Sequence, residues 1–291
     1  MRVFVTGASG FVGSAIVQEL LKAGHEILGL ARTDNAAEGL SKAGAAVHRG
    51  DLEDLESLKA GAAQCDAVIH TAFNHDFSKF KANCESDRQV ILALGEALKD
   101  TNKPMVVTSG IGLMNAAGRL INENDTPPGS DIMPRAASEE AARAVGAYIL
   151  RLPPTTHGEG DHGFVPMVIN MDKEKGEAAY IGAGSNHWPA VHRFDAANLY
   201  RLIIEQQPEQ KVFHAVAEEG IPFIEIATAI GKGTQLPVVS KDEAGAEAHF
   251  GWFKHFASFD CAATSELTRK TLGWEPKQEG LLKDMITGKY F

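Results

Sequence analysis

Short runs of apolar residues alternate along the chain with segments in which apolar residues recur at helical spacing. The unbroken runs predict buried strands at residues 2–5, 26–31, 45–48, 67–72 and 104–109. The helically spaced segments predict helices at residues 11–23, 54–63 and 83–100. Strands that are apolar throughout and are separated by helices form parallel sheets covered on both faces. We therefore predict an α/β fold with a doubly wound parallel sheet, in which ligands bind at the carboxyl ends of the strands.

A glycine-rich turn, Thr6-Gly-Ala-Ser-Gly-Phe-Val-Gly13, follows the first predicted strand. Gly7 allows the turn, Gly10 lets the backbone approach a pyrophosphate, and Gly13 lets the following helix pack closely on the strand. The free N–H groups at the start of that helix then face the phosphates. With the strand at 26–31, the segment forms a βαβ unit of about thirty residues, the setting in which such a turn binds a dinucleotide. The alternative is an ordinary glycine-rich turn between a strand and a helix.

The spacing T-G-x-x-G-x-x-G resembles the short-chain dehydrogenase/reductase superfamily, and in particular its extended, epimerase/dehydratase-like members. The segments Val191-His-Arg-Phe-Asp-Ala-Ala197 and Thr271-Leu-Gly-Trp-Glu-Pro276 share the resemblance, which therefore covers nearly the whole chain. Strand and helix alternate to about residue 156, including a helix at 134–145 and a strand at 148–152, and the alternation loosens after it. We expect a Rossmann dinucleotide-binding core over 1–156. Residues 157–291 are then mainly a small substrate-binding lobe, with elements that return to the core.

The predicted cofactor contacts lie at the ends of the strands. In the glycine turn they are Gly7, Ser9, Gly10, Phe11 and Val12. The resemblance adds Asp51 and Leu52 after the third strand, Thr71 and Ala72 at the end of the fourth, and Pro154 and Thr155 after the strand at 148–152. For Asp51, an N-cap of the next helix is a second interpretation, compatible with the first.

Arg32, at the end of the second strand, bears on the choice of cofactor. An acidic residue there accepts a hydrogen bond from the ribose of NAD, whereas an arginine pairs with the 2′-phosphate of NADP. NADP(H) is therefore the predicted cofactor, in preference to NAD(H). The alternative for Arg32 is a solvated surface side chain.

The resembled reductases use a Ser or Thr at the end of the fifth strand and a Tyr with a Lys four residues later. The hydroxyl gives a proton to the carbonyl oxygen as hydride arrives, and the ammonium lowers the pKa of the Tyr. Ser109 occupies the Ser position, but Arg135 stands in place of the Tyr and Glu139 in place of the Lys. The chain therefore resembles the atypical branch that lacks the Tyr-Lys pair. Arg135 could bind a substrate carboxylate or stabilise charge on an oxygen; the alternative is a surface ion pair with Glu139.

Histidines are the candidates for the missing proton donor, because they titrate near neutral pH. Those expected near the strand ends or in the lobe are His75, His157, His162, His187 and His192. We select His75, directly after the fourth strand, and His157, after the sixth. The spacing of His157, Glu159, Asp161 and His162 matches no known metal motif, and no metal is predicted.

Charge and composition limit the classes of binding partner that we expect. A net charge of -10 argues against nucleic acid and anionic membranes and favours a small-molecule substrate. Three widely spaced cysteines indicate neither disulfides nor zinc. The N-terminus has no pattern of a signal peptide and no apolar run reaches membrane length, so we expect a cytoplasmic location. A homodimer through helices 83–100 and 134–146, as extended members often form, is permitted.

Three functions agree with these features. We predict an NADP(H)-dependent oxidoreductase acting on a small carbonyl or hydroxyl compound, with Ser109 bonding the carbonyl oxygen and His75 or His157 assisting proton transfer. An epimerase, isomerase or lyase with tightly bound NAD(P) is one alternative, and a non-catalytic NADP(H)-binding sensor is the other. The aromatic residues Phe250, Trp252, Phe253, Phe256 and Phe259 line an apolar substrate pocket, form a subunit contact or pack in the core.

Overall fold

The computed structural model describes residues 1–291 and contains twelve strands and twelve α-helices. The strands are β1 Arg2–Thr6, β2 Glu26–Ala31, β3 Ala46–Arg49, β4 Ala67–His70, β5 Met105–Gly110, β6 Tyr148–Leu152, β7 Thr155–His157, β8 Ala178–Ile181, β9 His187–His192, β10 Val212–His214, β11 Glu218–Pro222 and β12 Val238–Lys241. The helices are α1 Phe11–Lys22, α2 Asp34–Ala43, α3 Leu55–Ala63, α4 Phe80–Ala97, α5 Ala137–Ala144, α6 Phe164–Lys175, α7 Arg193–Gln206, α8 Phe223–Thr234, α9 Glu243–Phe250, α10 Lys254–Ser258, α11 Glu266–Leu272 and α12 Leu281–Thr287.

A seven-stranded sheet in the order β10-β6-β5-β4-β1-β2-β3 forms the centre of the structure. Every pairing in it is parallel. Alternate residues of β1 point to opposite faces: Val3 and Val5 pack with α1 and α7, whereas Phe4 packs with α3 and α4. The sheet is therefore covered on both faces, which confirms the predicted doubly wound α/β fold.

A second apolar core belongs to the later part of the chain. It is built around two small sheets, β11-β9-β7 and β12-β8, and includes the buried Trp188 and Phe223. Ile111 and Ile121 of the connection after β5 also lie in it. Conversely, two elements of the later part of the chain, α7 and β10, belong to the core around the central sheet. The two parts are thus interlocked by segments exchanged between them.

Helix α2 is absent from the sequence prediction. Leu40 is its only fully buried residue, and the rest of its apolar face consists of the half-buried Ala36 and Ala37, so few large apolar side chains mark the helix in the sequence. Local capping marks its ends instead, because the Thr33 side chain accepts a hydrogen bond from the Ala36 N–H and Gly44 closes the helix in the left-handed conformation. The other predicted helices of the core are present with ends shifted by up to three residues, as for α4. None of the helices has the combined length and apolar character of a membrane span.

Candidate functional site

The glycine turn between β1 and α1 packs directly against the end of β4. Gly7 has φ +69°, and its O accepts a hydrogen bond of 2.9 Å from the Gly10 N–H. A Cβ on Gly7 would lie 2.6 Å from Thr71 Oγ1 and 2.7 Å from Ala72 N. Thr71 donates its hydroxyl to the Thr6 carbonyl oxygen over 2.8 Å. The structure therefore brings together two groups of predicted cofactor contacts, those of the glycine turn and those at the end of β4.

The N-terminus of α1 has no side-chain cap. Its N-cap residue Gly10 makes no side-chain hydrogen bond, and its first turn contains no acidic residue. Ser9 and Gly10 are exposed, and Phe11 and Val12 are half-buried. Because the first N–H groups of a helix need acceptors from outside it, this end can hold the phosphates of a cofactor.

Alanine at Gly13 and at Gly10 should have different effects. A Cβ on Gly13 would lie 2.0 Å from Gly7 O, so Gly13→Ala should lower the free energy of unfolding by about 1 to 3 kcal/mol or more. A Cβ on Gly10 would have only Gly7 O near it, at 3.2 Å, and Gly10 is exposed at the turn where the backbone is expected to approach a pyrophosphate. Gly10→Ala should therefore cost less stability and mainly weaken dinucleotide binding. Urea unfolding and NADPH titration of both variants separate the effects, and an equal loss of stability would contradict this account.

The second, third and sixth strands carry the remaining predicted cofactor contacts. Arg32 is exposed, and the neighbouring Asp34 pairs with Arg49. Asp51 accepts hydrogen bonds from the N–H groups of Glu53 (2.8 Å) and Asp54 (3.1 Å). The N-cap interpretation of Asp51 is wrong, because the cap of α3 is Asp54.

Leu52 is half-buried and packs against the core on the α3 face of the sheet. Pro154 is half-buried at the end of β6, whereas Thr155 is buried and donates its hydroxyl to the Pro189 carbonyl oxygen. The Thr155 hydroxyl therefore serves the β7–β9 pairing in this structure. Cofactor contact by these residues stays a prediction.

Arg135 lies in a short 3-10 turn, Pro134–Ala136, directly before α5, and three elements of the protein contact its guanidinium. Nη1 donates to Asp87 Oδ2 over 2.9 Å and to Ser138 Oγ, and Nη2 donates to the Thr108 carbonyl oxygen over 3.3 Å. The guanidinium carbon lies 4.2 Å from the centroid of the Phe73 ring. These bonds use three of the five N–H donors of an arginine, so two remain for a ligand. The side chain is 17% exposed, so part of it is accessible from outside the protein.

Asp87 organises this site, although the sequence analysis did not select it. It is buried in α4, where its Oδ1 lies 2.9 Å from Nε2 of His70 and its Oδ2 binds Arg135. Burial alone would raise the pKa of Asp87, but His70 and Arg135 outweigh burial and hold the pKa at about 2. The available signal was an acidic residue at helical spacing from the apolar Val90, on the buried face of the helix.

Ser109 and Glu139 form a second, separate network. The Ser109 hydroxyl is buried and donates to Glu139 Oε1 over 2.8 Å. Glu139 also binds the fully buried Arg151 through Nε (2.7 Å) and Nη2 (2.8 Å). The surface ion pair between Arg135 and Glu139 is therefore not formed, because each side chain has a buried partner on another element. Ser109 has a structural partner here, and its contact with a substrate stays a prediction.

His75 lies on the exposed loop after β4, beside a row of aromatic rings. Its ring centroid is 5.3 Å from that of Phe73 and 6.4 Å from that of Phe77. Phe77 is in turn 5.5 Å from Trp252 of the later part of the chain, which is 57% exposed. Loss of water around the ring and the charge of Arg135 lower the pKa of His75. An aromatic surface thus extends from the guanidinium of Arg135 to Trp252, whereas Phe250 and Phe253 of the same predicted cluster are buried in the second core.

His157 has a different environment from His75. It is 1% exposed, and its Nδ1 lies 2.8 Å from Asp284 Oδ2 of α12. His162 packs its ring against Phe11 at the start of α1, with centroids 5.8 Å apart. No cluster of three or more histidine, cysteine, aspartate or glutamate side chains has a geometry that could hold a metal ion.

Comparison with known proteins agrees with this geometry. Residues 3–128 match the model of the NAD dependent epimerase/dehydratase family. An uncharacterized protein of Schizosaccharomyces pombe is 50% identical over the full length of both chains, and one of Saccharomyces cerevisiae is 46% identical over 98% of each. The structure of dTDP-glucose 4,6-dehydratase from Bacillus anthracis, solved in complex with NAD, superposes with a TM-score of 0.74 at 15% identity, over 96% of this chain and 92% of that one.

Residues 3–128 therefore belong to the NAD dependent epimerase/dehydratase family, which places this protein in the extended short-chain dehydrogenase/reductase superfamily. The resemblance that the glycine spacing indicated is confirmed. Members of this class combine an NAD(P)-binding Rossmann core with oxidoreductase-like chemistry.

Proposed function

We propose that the protein is an NADP(H)-dependent oxidoreductase that reduces or oxidises a small carbonyl or hydroxyl compound. The observation that carries the proposal is the anchored guanidinium of Arg135, at the position where the resembled reductases have their Tyr. A fixed positive charge with free N–H donors stabilises the negative charge that develops on a carbonyl oxygen as hydride arrives. When bound, the nicotinamide would supply that hydride.

His75 is the better of the two histidine candidates for proton transfer. It is exposed, and its ring packs against Phe73, the ring that the Arg135 guanidinium also contacts, so the two groups lie near each other. His157 is almost fully buried and already bonded to Asp284. The aromatic surface between Arg135 and Trp252 favours a carbonyl compound with an apolar body.

NADP(H) is the proposed cofactor because Arg32 is an exposed cation at the end of β2 whose neighbouring carboxylate, Asp34, is paired elsewhere. NADPH and NADH titrations followed by nicotinamide fluorescence at fixed ionic strength should show a preference for NADPH of about tenfold or more. Arg32→Glu should remove that preference and leave NADH binding nearly unchanged. Lys42→Gln is the matched control, because Lys42 is an exposed cation in the last turn of α2 that pairs with Glu38 and leaves the Asp34–Arg49 pair intact.

Assays of cofactor consumption and cofactor content on the same purified protein distinguish the three functions. Net consumption of NADPH with a panel of carbonyl compounds supports the oxidoreductase. Cofactor that copurifies with the protein and is not consumed would support an epimerase, isomerase or lyase, and binding without turnover would support a sensor. Failure of a cofactor-free preparation to bind either dinucleotide would refute the proposal.

A further inference from the structure

We infer that Arg193, the first residue of α7, binds the pyrophosphate of the dinucleotide together with the N-terminus of α1. The inference rests on the proposed function and adds a contact from the later part of the chain to a site otherwise formed by residues before 157. The guanidinium carbon of Arg193 lies 5.0 Å from the ring centroid of Phe11 and 4.9 Å from that of Phe194. The two rings hold the charge beside the first residue of α1.

Helices α1 and α7 lie side by side and run in the same direction. Arg201 Nε of α7 donates to Glu19 Oε1 of α1 over 2.8 Å, and these residues are 182 positions apart in the chain. Arg193 and Phe11 are also 182 positions apart and are in contact two turns earlier. The N-termini of both helices therefore lie at the same end. The positive, open N-terminus of α1 and the guanidinium of Arg193 therefore meet beside the glycine turn, whereas the N-terminus of α7 is capped by His192 and has Asp195 in its first turn.

The protein provides no anion for Arg193. Its Nε is buried and has no hydrogen-bond partner. Asp195, two residues later, accepts from two backbone N–H groups of the C-terminal segment, and Glu159 binds Lys289 over 2.6 Å. A buried donor without an acceptor is unfavourable, and Arg193 forms no ion pair within the chain, so its half-buried guanidinium is free to bind an anion through its terminal N–H groups.

A pyrophosphate supplies the negatively charged hydrogen-bond acceptors that Arg193 and the N-terminus of α1 lack within the protein. Its oxygens can accept from the open N–H groups of α1 and, at the same time, from the planar fork of an arginine. The site for the reacting carbonyl is the separate guanidinium of Arg135, at the end of β5. Arg193 is thus a residue that contacts the cofactor rather than the substrate.

The test is titration of wild-type protein, Arg193→Gln and Arg201→Gln with NADPH and with NADH, without substrate. Arg193→Gln should weaken binding of both dinucleotides by the same factor, about tenfold or more, because both contain the pyrophosphate. Arg201→Gln removes the same charge from the same helix two turns away and should leave both affinities nearly unchanged. If Arg193→Gln does not fold by circular dichroism, Arg193→Lys should weaken both dinucleotides severalfold, because a lysine lacks the fork.

Each outcome decides the inference. Unchanged affinities of Arg193→Gln would overturn it, and so would a loss confined to NADPH, which would place Arg193 at the 2′-phosphate. Unchanged affinities of Arg193→Lys would likewise overturn the inference. If the wild-type protein binds neither dinucleotide, the proposed function fails as well, so that failure is distinguishable from failure of the inference alone.

Discussion

Arg135→Gln should lower turnover by about a hundredfold to a thousandfold, the loss that follows removal of a donor to a developing oxyanion. The glutamine has no charge, and its shorter side chain cannot bind Asp87 and a substrate oxygen together. The measurement is the rate of NADPH oxidation with the most active compound of the carbonyl panel. Binding of NADPH itself should change little, because Arg135 is assigned to the substrate.

The pH dependence of this variant gives an independent readout. If protonated His75 gives the proton, the reduction rate falls as pH rises through the pKa of His75, which Arg135 lowers. Removing the charge of Arg135 should raise that pKa, so the fall should move to higher pH. An unchanged profile would contradict the assignment of His75.

Arg88→Gln is the matched control for Arg135→Gln. Arg88 lies in α4 next to Asp87, donates to Glu140 of α5 over 2.7 Å, and is 22% exposed, close to the 17% of Arg135. Both substitutions remove an arginine from the interface between these helices. Equal turnover of the two variants would show that Arg135 supports the helix interface and not the reaction.

Arg151→Met should lower the free energy of unfolding by about 3 to 5 kcal/mol, because it leaves Glu139 as a buried charge without its main partner. In the wild-type protein, burial raises the pKa of Glu139 but Arg151 outweighs burial, so the pKa is lowered. The native pair therefore adds stability above the ordinary carboxyl pKa, and this stability is lost as pH falls through the lowered value. In the variant, burial should dominate and raise the pKa of Glu139.

The loss in Arg151→Met should accordingly be largest at neutral pH and become smaller as pH falls, when Glu139 is protonated. Urea unfolding at several pH values measures it. The double variant Glu139→Leu/Arg151→Met removes both charges and should recover part of the lost stability, because apolar pairs replace buried ion pairs at little cost but the buried Ser109 hydroxyl loses its acceptor. A double variant less stable than Arg151→Met would contradict this interpretation.

The positions of most strands of the central sheet, and the glycine turn, could be predicted from the sequence. Strands β2 and β6 have the predicted bounds, because an unbroken apolar run between turn residues is a local property. The role of Gly13 was also predictable, because the close approach of α1 to β1 follows from the βαβ unit itself. Helix α2 was missed because its apolar face consists of Leu40 and two alanines, which give a weak signal in the sequence.

The candidate catalytic site was predictable only in part. Arg135 and Glu139 could be placed at the positions of the missing Tyr and Lys, and their helical spacing allowed a pair with each other as the alternative interpretation. The structure instead pairs Arg135 with Asp87, 48 residues away, and Glu139 with Arg151 of the neighbouring strand. A charged residue in a buried segment indicates that a partner exists, and the order of the strands decides which one it is.

The sequence by itself determined the parts of this protein that depend on neighbours along the chain: the strands, most helices, the turn that can face a phosphate, and the absence of the Tyr-Lys pair. Only the tertiary structure decided how distant charges meet. It tied Ser109 into the Glu139 network, held Arg135 beside Phe73, and brought the start of α7 next to the start of α1 across 182 residues. The physical reason is that burial makes an unpaired charge costly, so these side chains take the partners that packing of the sheet and helices provides.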